Sequence, residues 1–113
     1  MSRSSFAKLT VTRLRFPMRD DFGAQVPDYD EEPDELEISG CWYEPTTSTE
    51  VRDGRTAVFT GYTIDAPAGA DVIAVDRVRV AGSDFDVEGE PLSVPSPTGT
   101  LASKRIVVGA WEG

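Results

Sequence analysis

The chain has 113 residues and a formal charge of −9, from 20 acidic and 11 basic side chains, with no histidine and a single cysteine, Cys41. Without histidine the commonest general base and metal ligand is missing, and with it the Ser-His-Asp and Cys-His arrangements. One cysteine forbids an internal disulfide and leaves no thiolate set for zinc.

A chain this short suits one domain with a modest core. There is no run of about 18 apolar residues, so no membrane span is expected. The opening stretch MSRSSFAKLTVTRLRF lacks the apolar segment of a secretory signal, so synthesis in a host cytoplasm is expected. An acidic protein grips phosphates poorly, because that needs clustered Lys and Arg; an acidic channel can still surround nucleic acid without adhering to it.

In chain order, residues 6–16 alternate Leu9 and Val11 with Lys8, Thr10 and Thr12, which predicts a strand. Residues 17–36 then form a long acidic loop punctuated by Pro17, Pro27, Pro33 and Gly23. Seven acids crowd into Asp28–Glu37, a run expected to be solvated and mobile. Asp21-Phe22-Gly23 suits a tight turn inside this connection, which would make its first part a hairpin and its acidic part an outer arm.

Residues 36–44 predict a second strand, with Gly40 marking a bulge and with Trp42 and Tyr43 on opposite faces. Pro45 is expected to end it. A polar connection, 46–55, follows and carries the turn signal Asp53-Gly54. Residues 57–64 read as a strand covered on both faces, bent at Gly61. A Pro67-Gly69 turn leads to a strand starting near Val72 and ending at Val80.

Beyond Ala81-Gly82, Phe85–Glu88 alternates apolar and acidic, so Arg77 and Arg79 are expected to pair with its acids across a hairpin. Residues 92–100 suggest a loop with at most a short edge strand. Residues 101–111 suit a closing strand, or a short helical turn at 101–105. The fold class is therefore all-β: a small antiparallel barrel or sandwich with long loops and at most one short helix.

Catalytic patterns are missing. GxxxxGK[ST] and GxGxxG do not occur. The run Asp28-Tyr29-Asp30-Glu31-Glu32 lacks the glycine of a calcium loop. Nothing places two carboxylates in a pocket as acid–base chemistry needs. No catalytic residue, metal or cofactor is expected. A partner-binding role fits better, with Phe22, Tyr29, Trp111 and one of Trp42 or Tyr43 as exposed aromatics suited to interfaces. Trp111 reads either as a lid over the barrel end or as a docking residue.

Taken in order, several short motifs carry a resemblance. They are Gly40-Cys41-Trp42-Tyr43-Glu44-Pro45, Asp53-Gly54-Arg55, the strand Val58–Ile64, and Ala66-Pro67-Ala68-Gly69-Ala70-Asp71-Val72. Asp76-Arg77-Val78, Asp84–Pro91 and Ser96-Pro97-Thr98-Gly99 follow. Across Leu9–Val108 this set resembles the head-to-tail stopper proteins of long-tailed bacteriophages.

The resemblance implies a structural virion protein: a small barrel assembled as a six- or twelve-fold ring in the neck. Portal and adaptor lie above the ring and the tail terminator below. Such a ring retains packaged DNA without reading its sequence, and offers a docking surface for the tail. It also implies a channel-facing loop, here Thr46, Thr47, Ser48, Thr49, Glu50, Val51, Arg52, Asp53, Gly54 and Arg55. Asp28, Tyr29, Asp30, Glu31, Glu32 and Trp111 are the candidates for docking partners. Another neck component, or a free-standing ligand-binding barrel, is the alternative.

Overall fold

The computed structural model describes residues 9–95 and 102–112. These form strands β1 (Leu9–Arg15), β2 (Met18–Asp21), β3 (Ala24–Pro27), β4 (Asp34–Arg52) and β5 (Arg55–Pro67). Then come β6 (Arg77–Val80), β7 (Ser83–Val87), β8 (Leu92–Val94) and β9 (Ser103–Glu112). No helix occurs among the described residues. Strands β5-β4-β1-β6-β7-β9 form an antiparallel sheet that closes on itself through β5–β9. The expected small β-barrel is thus present, and closure removes most of the open sheet edge. Strand β8 lies on β9, and β2–β3 form a separate hairpin.

Alternation builds the interior. Val11, Ile38, Cys41, Ile64, Ala66, Val78, Val80, Val87, Ile106 and Val108 fill the lumen, with Ala70 and Val72 entering from one end. Each fully buried aliphatic side chain contributes about 1.5–3 kcal/mol relative to exposure. Tyr43, Tyr62 and Phe85 continue this core as an edge-to-face chain, with ring centroids 5.5 and 5.6 Å apart. Gly61 and Gly109 face each other across β5–β9. A Cβ on either would run into the backbone of the opposite strand, so the two strands approach as only glycine permits.

Strand β4 is 19 residues long. Laid straight it would span about 60 Å, more than the molecule's longest extent of 47 Å. It bends at a bulge. Leu9 pairs with Cys41 but Val11 pairs with Ile38, which leaves one extra β4 residue at Ser39-Gly40. Gly40 takes φ 72°, as a bulge glycine does. Before the bulge β4 pairs with β1; after it, with β5.

Several sequence expectations are corrected. Pro45 does not end a strand; it pairs with Tyr62. At that position β4 has a single strand neighbour among the described residues, and proline is tolerated on such an edge. The connection 46–55 is likewise no loop, because its threonines favour a strand and Asp53-Gly54 joins β4 to β5 directly. Both turn residues have positive φ, 50° and 76°, the geometry of the tightest hairpin turn.

Asp34 and Glu35, expected within the acidic loop, instead open β4 opposite β1, ahead of the strand expected from residue 36. Val72–Val75 are not strand. The Asp76 N–H donates to Ile73 O (3.1 Å) and its carboxylate accepts from Ile73 N–H (2.9 Å), which folds the segment into a turn before β6. Residues 103–105 are strand rather than helical turn, while Leu101, residues 6–8 of the first predicted strand and residues 96–100 of the predicted loop lie outside the described residues.

That Ala70–Asp76 turn closes one barrel end, held by charge. Buried Arg13 donates to Asp34 (2.6 Å) and Asp71 (3.1 Å). Arg15 grips the buried Asp76 carboxylate with Nε and Nη2, both at 2.9 Å, and also reaches Asp71 at 3.2 Å. Lys104 Nζ donates to Ala70 O (2.7 Å).

Candidate functional site

With the lumen packed by side chains, what remains for function is the outer surface and the projecting parts. Strand β9 accompanies β5 as far as the Val58–Glu112 pair. The pairs Glu50–Ala57, Val51–Thr56 and Arg52–Arg55 stand beyond it, with no third strand among the described residues. They make a two-stranded ribbon projecting about 10 Å. The structure therefore divides the sequence-predicted loop. Thr46 to Thr49 belong to the barrel wall, where Thr46 Oγ1 lies 2.5 Å from Thr63 Oγ1. Residues 50–55 form the ribbon tip, with Val51 largely exposed and Asp53, Gly54 and Arg55 in solvent.

The second projection is the β2–β3 hairpin. Its turn is Phe22-Gly23, both with positive φ (53° and 87°). Glycine accepts that conformation freely, whereas a bulky aromatic rarely adopts it. Phe22 is fully exposed, at 103% of its reference area, and Met18 is 46% exposed. Sequence reasoning recognised the turn and the exposed aromatic but did not make Phe22 a site residue. The signal was an aromatic placed where Asn or Gly is usual.

The acidic segment after this hairpin is anchored rather than loose. Asp28 N–H donates to Pro17 O (2.8 Å) and closes the hairpin base; Asp30 N–H bonds Asp28 Oδ1 (3.1 Å). The Tyr29 ring packs on Phe16 (4.9 Å) and lies 3.8 Å from the Arg77 guanidinium carbon, a cation–π contact. Of the docking candidates there, Tyr29 is engaged with its own barrel, Asp28 is half-buried, and Asp30, Glu31 and Glu32 point to solvent.

Trp111 is not a lid over the barrel end. It packs against buried Phe59 on the outer face (5.4 Å) and donates Nε1–H to Glu88 (3.2 Å). β9 alternation explains this, since Ile106 and Val108 take the inward positions. The two-sided cover expected of β5 is formed in part: Phe59 is buried on the outer face, while Thr63 lines an open groove and Thr60 is exposed. Trp42 and Tyr43 do take opposite faces, Tyr43 inward and Trp42 outward. The outward face of β4, β5 and β9 holds a groove of about 460 Å³, lined by Trp42, Glu44, Thr63, Asp65, Arg105 and Val107 among others.

Outside β6 and β7 the expected hairpin pairs are formed: Arg77–Asp86 and Arg79–Asp84, each 2.8 Å. The hydrogen bond that Arg79 donates to the Asp84 carboxylate, and the charge of that group, raise the Arg79 pKa. At the closed end, the hydrogen bonds Arg15 donates to Asp76 and Asp71 raise its pKa, and Arg15 in turn holds Asp71 below the ordinary carboxylate value. Among the described residues no group of three or more Cys, Asp or Glu side chains is placed to hold a metal ion. No family model, curated protein or solved structure matches the chain.

Proposed function

We propose that this chain is a ring-forming structural subunit, a head-to-tail stopper in the neck of a long-tailed bacteriophage. The observation that carries the reading is the β4–β5 ribbon. A rigid closed barrel extends one long hairpin at the position where the sequence resemblance puts the channel-facing loop. The tip offers Asp53 and Gly54 on a tight turn, with Glu50 just behind. The charges of residues 50–55 cancel, Glu50 and Asp53 against Arg52 and Arg55, so the tip carries no cluster of Lys and Arg that would grip phosphate as DNA passes or rests against it.

A rigid body with projecting arms is what a ring subunit requires of its neighbours. The aliphatic lumen supports the assembly reading over a ligand-binding barrel, since the interior is occupied by Ile64, Ile106, Val78 and Val108. The all-β fold also suits a stopper better than a helix-rich adaptor.

Mass spectrometry of purified virions, followed by a reconstruction of the neck, tests the proposal. The chain is expected in virions, as a ring between capsid and tail with Asp53-Gly54 toward the axis. Its absence from virions would sink the reading. A ring with the ribbon on its outer wall would remove the channel role alone.

A further inference from the structure

The β2–β3 hairpin and the outer groove lie on opposite sides of the barrel. The hairpin is pinned beside the β1–β6 seam, through Phe16 after β1, Tyr29 after β3 and Arg77 on β6. The groove spans β4, β5 and β9. Around the closed sheet the β1–β6 and β5–β9 seams face away from each other, with three strands on either side. A projection on one side and a recess on the other is the arrangement of a heterologous, head-to-tail contact, which repeats from copy to copy and closes into a ring when the rotation allows.

The chemistry of the two surfaces matches. Phe22 stands wholly in water on a turn that disfavours its side chain, so the isolated fold gains nothing from it. Beside it are Arg19, Asp20 and Asp21. The groove is walled by half-exposed Trp42 and by Val107, with Arg105 directly across from Asp65 and Glu44 on β4 two strands away. Across the sheet Trp42, Asp65 and Arg105 stand side by side in one row. A Phe ring against Trp42 forms an aromatic pair, while Asp20 or Asp21 meets Arg105 and Arg19 meets Glu44 or Asp65.

We propose that the β2–β3 hairpin seats Phe22 in the Trp42–Arg105 groove of a second copy of this chain. The choice of a second copy rests on the ring reading above. Two copies of charge −9 repel each other, so the contact strengthens as added salt screens that repulsion.

The test uses the purified full chain at high concentration in low and high salt. A photo-crosslinking p-benzoylphenylalanine replaces Phe22, and equal parts of light and heavy isotope-labelled protein are mixed. Mixed-isotope adducts joining position 22 to peptides carrying Trp42 or Arg105 are expected, more abundant in high salt. Phe22→Ser and Arg105→Glu are each expected to reduce the larger species in sedimentation velocity at least several-fold, with circular dichroism unchanged.

No mixed-isotope adduct, or adducts confined to other surfaces, would overturn the proposal. The two readings fail separately. Adducts in the groove from a protein absent from virions leave this contact standing without the neck role. A virion protein that gives no such adduct has the neck role without this contact.

Discussion

The closed barrel end and the hairpin tip at Phe22 treat their side chains in opposite ways. At the closed end Arg13 and Asp76 leave bulk water, and every polar side-chain atom of the two except Arg13 Nε has a hydrogen-bond partner. Asp76 has no exposed side-chain surface and takes two bonds from Arg15 and one from Ile73 N–H. At the hairpin tip an apolar ring is left in solvent with nothing packed on it. Folding explains the first arrangement, since a buried carboxylate without partners would be costly. Folding does not explain the second. The difference separates what holds the body together from what it holds outward, and it is reflected in overall dimensions: the radius of gyration is 15.5 Å, against about 13 Å expected for a compact chain of this length.

The sharpest break of that contrast is inside the body. Gly109→Val puts a branched side chain into the backbone of β5, and a loss of about 4 kcal/mol or more is expected, enough to prevent a cooperative urea transition. A variant that unfolds like the parent would show that the barrel closes differently. Asp76→Ala comes next, at about 3 kcal/mol, because it leaves the Ile73 N–H unpaired at a covered site and Arg15 with Asp71 alone. Chemical denaturation measures it, and protection of the Ala70–Asp76 amides from hydrogen exchange should fall first.

Acid is expected to have a weaker effect at the same end. The Asp71 pKa is lowered in the folded state, mainly by its hydrogen bonds from Arg15. Its stabilisation is therefore complete above the ordinary value of 3.8 and is lost as pH falls through the lowered folded value. Melting temperature followed from neutral pH to pH 3 and below should fall in that last interval, and less so in an Asp71→Asn variant. Smallest of all, Phe22→Ser should alter stability by no more than about 0.5 kcal/mol, even though it removes a large aromatic. A large loss on denaturation would place Phe22 with the body rather than the arms.

Local features were legible in the sequence. Gly40 signalled its bulge, Asp53-Gly54 its turn, and Arg77 and Arg79 their partners, because each depends on residues a few positions away. The barrel class followed from short alternating runs.

What escaped depends on distant chain. Asp34 and Glu35 look like solvated acids, and β1 makes them a strand. The run 46–52 looks like a polar linker until β5 lies beside it. Val72–Val75 look like a β-rich core run, but Asp76 is gripped by Arg15, 61 positions earlier, and that bond turns the segment across the barrel end. Of the candidate loop, the Asp53-Gly54 turn was legible, while residues 46–52 are strand rather than loop. The groove joins three strands from separate parts of the chain and had no local signature.

Strand β4 has a mechanical consequence. It starts at Asp34, clamped by Arg13 at the closed end, and runs unbroken to Arg52 at the ribbon tip. A load on Asp53-Gly54 directed along the hairpin pulls β4 and β5 together and passes in shear to the bonds of β4 with β1 and of β5 with β9, many sharing it at once. The ribbon is therefore a stiff lever rather than a tether. The bulge at Gly40 lies between the tip and the Arg13–Asp34 clamp, so displacement of the tip is taken up there before it reaches the closed end.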